Sequence, residues 1–208
     1  VTPTPETPVL TVTPAPTAAL VAVLIKDPTK LDDILSGLSL VRKQSEEAKY
    51  MPLIKSDAIA FKVKLTSEQE TAITNFVSYG ISEKTKQLGA GERRAVLRDY
   101  LETVGRPSVN WEDVERITKG EKPISRNLAK EQAQVKSVLN VFIKMVGHRP
   151  NFQDAKEDLA WNTMMYRIRF DRDLAKEKAG ITEYRQTFKR LPKSPLDWSA
   201  VRAFGYAL

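Results

Sequence analysis

The sequence predicts a mainly α-helical protein of helix-turn-helix repeats of about 42 residues, preceded by a small N-terminal region of extended and strand character. Apolar residues recur three and four apart through most of the chain, the period of a helix face turned inward. Tyr100, Phe142 and Tyr184 stand 42 residues apart, and each is followed by a turn containing a proline. Residues 1–17 hold five prolines and six threonines. Proline has no amide hydrogen and a fixed φ, so this stretch does not build a helix. Three segments result: a Thr/Pro-rich extended arm over 1–17, a segment with strand and helix over 18–66, and a helical-repeat domain over 67–208.

The arm carries Val9, Leu10 and Val12 among its prolines. The apolar run 18–25 follows, with Leu20, Val21, Val23, Leu24 and Ile25. A short run rich in β-branched residues reads as a buried strand, or as a segment donated to a neighbouring copy. It is far shorter than the roughly 20 residues of a membrane-spanning helix. From Pro28, the residues Leu31, Ile34, Leu35, Leu38 and Val41 form one helical stripe, and Asp32 and Asp33 suit its positive N-terminus. Residues 58–65 alternate, with Ile59, Phe61, Val63 and Leu65 against Lys62 and Lys64, which predicts a half-buried strand. Ser67 with Glu70 reads as a capping box opening a helix through Ile73, Phe76 and Val77, with Gly80 as its stop.

Each later unit reads as a helix with an aromatic anchor, a turn with a basic residue and a proline, and a second helix with a tryptophan. The predicted core anchors are therefore Tyr100, Trp111, Phe142, Trp161, Tyr184 and Trp198. The clearest second-helix start is Ser194-Pro195-Leu196-Asp197, where a serine cap, a proline in the first turn and a returning acid coincide.

Lys and Arg total 33 against 26 Asp and Glu, a net charge of +7. That balance favours anionic partners, yet the two signs alternate along most helices, as on an ordinary solvated face. With no cysteine, disulfides, thiolate nucleophiles and cysteine metal sites are excluded. His148 is the only histidine, in a turn beside Arg149, with no metal-ligand spacing around it. No Gly-x-Ser-x-Gly elbow is present. Gly89-Ala90-Gly91 at a helix start can hold an anion, but neither a Walker loop nor a dinucleotide fingerprint follows, so a glycine-capped helix is the simpler reading. Glu92, Glu102, Asp113, Asp158 and Asp197 fit helix starts or surface pairs. Arg167, Arg169, Arg172 and Arg202 near Tyr166, Phe204, Tyr206 and the tryptophans suit a stacking platform. The inward spacing of Trp198, Val201 and Phe204 argues for core packing instead.

Lys84-Thr85-Lys86-Gln87-Leu88-Gly89-Ala90-Gly91-Glu92-Arg93, the Gly105-Arg106-Pro107 turn, Trp111-Glu112-Asp113-Val114 and the closing Ser194-Pro195-Leu196-Asp197-Trp198 carry a resemblance. Over residues 76–208 the chain resembles a group of uncharacterised exported proteins of candidate-phylum bacteria. The resemblance implies a secreted or surface setting and transfers no catalytic residue. The opening at Val1, followed by a Thr/Pro spacer, reads the same way, as the sequel to a removed export signal.

The expected function is that of an extracellular or cell-surface structural protein, not an enzyme, which self-assembles into a filament or layer. The arm and the run 18–25 are the expected contacts between copies. The alternative is a module for cell-wall glycan or another polyanion, using Arg106, Arg149 and Arg190. Nucleic acid is less favoured, because no stretch concentrates the positive charge. No cofactor or metal is expected.

Overall fold

A computed structural model describes residues 24–105 and 108–208. Among these residues there are ten helices and no strand. α1 (Leu31–Gly37) carries Asp32 and Asp33 in its first turn and buries Ile34, which packs with Leu38 and Tyr79. The apolar stripe ends there, since Ser39 takes a left-handed φ of 50° and Val41 stands exposed. Leu24 and Ile25 pack against the core, and the Ile25 amide donates to the Ile81 carbonyl at 2.7 Å. Val9, Leu10, Val12, Leu20, Val21 and Val23 lie outside the described residues.

The strand expected over 58–65 is not formed. α2 (Gln44–Ala60) runs into that region and buries Ile54, Asp57 and Ala58, a helical spacing. Arg94 grips Asp57 with two hydrogen bonds of 2.7 and 2.8 Å, so the last turn of α2 is held against the following helices. Ile59, predicted inside, is 79% exposed. Phe61, Val63 and Leu65 still pack against the core, so the alternation survives as a burial pattern. Without a neighbouring strand among the described residues to share a ladder, it makes no sheet.

α3 (Ser67–Tyr79) opens with the predicted capping box one residue earlier than expected, from Thr66 and Gln69. It stops at Gly80, whose φ is 78°. α4 (Glu83–Lys86) and α5 (Ala90–Thr103) follow. Arg93 of α5 is 3% exposed and donates to the Val77 and Ser78 carbonyls at 2.7 Å each. The same side chain donates to the carbonyls of Thr85, Lys86 and Leu88. One guanidinium thus closes the end of α3 and the turn after α4, where carbonyls lack helical partners.

In the rest of the described chain α5 touches α6 (Trp111–Thr118), α7 (Leu128–Val146) touches α8 (Ala155–Tyr166), and α9 (Leu174–Phe188) packs on α10 (Pro195–Tyr206), three pairs of sequence-adjacent helices. α5 packs on α3, α7 and α8, while α10 packs on α9, α8 and α7. Tyr100, Phe142 and Tyr184 are all fully buried in one core. The tryptophans are not equivalent. Trp111 begins α6 and lies 5.4 Å from Phe76, and Trp161 sits mid-α8 at 6.0 Å from Phe142. Trp198 is 44% exposed, so the expectation of a core anchor there is corrected. α10 meets its neighbours through Ala200, Val201 and Ala203, and at Gly205, where a Cβ would lie 2.5 Å from the Lys176 carbonyl oxygen. An interface that close has no room for an indole. On α9, a Cβ at Gly180 would collide with the Val201 carbonyl.

Two stability outcomes follow from this packing. Gly180→Ala should lower unfolding free energy by about 2 kcal/mol or more, because a backbone contact cannot yield as a side chain does. Arg93→Met should cost about 3 kcal/mol or more by leaving several buried carbonyls unpaired. Urea titration followed by circular dichroism measures both; an unchanged midpoint in either variant contradicts the corresponding contact.

Candidate functional site

Two surfaces combine concavity with unusual chemistry. The first is an open groove of about 790 Å³ between the 122–128 loop, α7 and α8. α7 has 19 residues but fully buries only Val138 and Phe142. Its outer face presents Leu128, 68% exposed, and Val135, and the opposite wall presents Phe152, 57% exposed, edge-on to Trp161 at 5.6 Å. Ile124 is exposed on the loop. The loop is anchored by Asp113, whose fully buried carboxylate accepts the Ile124 and Ser125 amides at 2.6 and 3.1 Å. On the rim Arg126 grips Glu131 at 3.0 and 2.6 Å, and the Tyr166 hydroxyl donates to Glu131 at 2.8 Å. Burial, and then that hydrogen bond, pushes the Tyr166 phenol up to about 12. The groove therefore offers apolar area beside the internally paired Arg126 and Glu131.

The second surface lies where α5, the 167–172 stretch and α10 meet. Two adjoining depressions of about 560 and 450 Å³ share Glu92, Arg169, Trp198 and Arg202. Arg169 is buried and pairs with Glu92 and Asp99. Arg167, at a left-handed φ of 56°, is buried beside it, donates to the Met164 carbonyl and lies 4.0 Å from Glu102. Arg202 differs: it has no carboxylate partner among the described residues, and its one hydrogen bond reaches the Ser199 hydroxyl at 3.5 Å. Burial, followed by the charge of Arg169, pushes the Arg202 guanidinium down to about 10, against the opposing pull of Asp99 and Glu92.

No family model, curated protein or solved structure matches this chain.

Of the three arginines expected to bind a polyanion, the structure describes two. Arg106 lies outside the described residues. Arg149 is exposed in the turn between α7 and α8. Arg190 is occupied by Asp197, with hydrogen bonds of 2.8 and 2.7 Å. His148 stands exposed in the α7–α8 turn, with Nδ1 at 2.8 Å from the Arg149 carbonyl oxygen. Among the described residues, no cluster of three or more His, Asp or Glu side chains can hold a metal ion, and no helix is long and apolar enough to cross a membrane.

The acids at the second-helix starts hold turns. Asp113 anchors its loop, Glu157 accepts the Asn151 amide at 2.7 Å, and Asp197 accepts the Lys193 and Ser194 amides at 3.0 Å each. The arginine cluster was only partly visible beforehand. The sequence brings Arg167, Arg169 and Arg202 near aromatics, but Glu92 and Asp99 join them from about 70 to 110 residues earlier in the chain.

The Arg190 guanidinium, together with the backbone amides, holds the Asp197 carboxyl well below the usual range. An unfolded chain takes up that proton near the ordinary value of about 3.9, whereas the folded protein does so only at lower pH. Stabilisation by Asp197 is therefore fully present above about pH 5 and fades on acidification. Asp197→Asn should lower the melting temperature at pH 7, and its gap from the parent protein should begin to narrow only below about pH 4 and go on narrowing at lower pH; a gap that stays constant from pH 5 to pH 2 would contradict the assignment.

Proposed function

We propose that this is an extracellular or cell-surface structural protein which self-associates, the arm of one copy occupying the α7–α8 groove of the next. The observation that carries this reading is the pair Leu128 and Val135, which α7 leaves exposed in the groove together with Phe152 and Trp161. Proline-rich segments favour aromatic-lined grooves, because a preformed polyproline geometry loses little entropy on docking. Residues 1–23 match that description in sequence: prolines alternate with threonines, Val9, Leu10 and Val12 offer apolar side chains, and Glu6 is the only charge. Their 23 residues reach at most about 75 Å when extended, ample to bridge neighbouring copies.

Stacked helix pairs form part of the same proposal. In each pair the first helix ends in a left-handed residue five positions after its buried aromatic: Gly105 after Tyr100, Gly147 after Phe142 and Lys189 after Tyr184. Shared turn geometry at that interval supports a repeated unit of about 42 residues, whose faces are satisfied by stacking. The exported setting rests on the cysteine-free composition, the Thr/Pro arm and the resemblance noted above.

Sedimentation velocity over a range of concentrations tests the proposal. The full chain should form concentration-dependent oligomers. A chain lacking residues 1–23 should stay monomeric and bind a synthetic 1–23 peptide, and Phe152→Asp should abolish that binding. A full chain that is monomeric at every concentration removes the proposal, as does a peptide that binds the Phe152→Asp variant equally well.

A further inference from the structure

The second surface shares no lining residue with the α7–α8 groove, and its chemistry is different. We infer that the depression between α5 and α10 is a binding site for an acidic sugar unit, with Arg202 receiving the carboxylate and Trp198 the apolar face of the ring. Arg202 is partly buried in the wall of both depressions and makes no ion pair with a carboxylate among the described residues, so its guanidinium has lost part of its hydration without gaining a partner. Around Arg202 each neighbour is already engaged: Arg169 with Glu92 and Asp99, and Arg167 with the Met164 carbonyl and Glu102. The acids are engaged by other arginines, so the Arg202 fork is left free for a carboxylate from outside the chain. A guanidinium fork suits the two oxygens of a carboxylate.

Three further features narrow the ligand. Trp198 is 44% exposed on the wall shared by both depressions, a flat apolar surface beside the cation, as sugar recognition requires. Phe170 and Tyr206, stacked at 4.7 Å, line the same depression. Charges on the rim are largely paired with one another, Lys84 with Asp171 and Arg172 with Glu177. A nucleic acid needs a row of unpaired cations for successive phosphates, and the rim does not supply one. A single guanidinium without an ion pair, next to one indole, fits one carboxylate on one ring, within a volume typical of small-ligand sites.

The test is titration of the full chain with trigalacturonate, followed by tryptophan fluorescence and calorimetry, beside neutral galactotriose, inorganic phosphate and a single-stranded DNA oligomer. Trigalacturonate should saturate one site and bind at least about tenfold more tightly than galactotriose. Arg202→Met should weaken it at least about tenfold, and Arg202→Lys less, because the charge remains and the fork is lost. Arg202→Met should also melt close to the parent protein, since it breaks no ion pair within the described chain. Trp198→Ala, at an exposed position, is the second variant and should weaken binding while leaving the melting temperature unchanged. Failure of trigalacturonate to bind at about 10 mM, equal binding of the neutral trisaccharide, tighter binding of phosphate or DNA, or undiminished binding by Arg202→Met each overturns the assignment.

Discussion

Arg93 sends a single guanidinium to carbonyls at the end of α3 and around the turn after α4, while its own helix, α5, packs on α3, α6, α7 and α8. Backbone carbonyls at helix ends are costly to bury unless something donates to them. Here the donor is a buried side chain and not solvent. Burial lowers its proton affinity and the neighbouring Glu46 carboxylate partly restores it, so the charge is retained where a neutral side chain could not serve so many acceptors. The N-terminal helices and the later helix pairs are joined through this point, and Ile54 of α2 accordingly shares a core with Ile73, Tyr100 and Phe142.

Local chemistry was legible in the sequence and long-range chemistry was not. Helix starts at Thr66 and Ser194, the stop at Gly80 and the burial of Tyr100, Phe142 and Tyr184 follow from residue types and spacings a few positions apart. The alternation at 58–65 misled because burial of Phe61, Val63 and Leu65 does not require a strand, and the decisive partner of Asp57 is Arg94, 37 residues away. Trp198 misled for a related reason. Its spacing with Val201 and Phe204 marks a face, but which part of that face goes inward depends on how closely α9 approaches.

Both candidate surfaces arise where the helix pairs are joined. The 122–128 loop forms one wall of the apolar groove only because Asp113 holds its amides, and the 167–172 stretch forms one wall of the arginine depression after α8 ends in a left-handed arginine. Connections of this kind carry chemistry more freely than the helices they join, because their side chains are not committed to the core.

The contact between Gly180 and Gly205 fixes more than stability. Two helices whose backbones touch cannot slide or rotate against each other without collision, so α9 and α10 behave as one rigid plate. Trp198 and Arg202 ride on that plate. A ligand entering their depression meets a wall that does not reshape itself, and the entropic cost of organising the binding groups is met when the chain folds, before any encounter takes place.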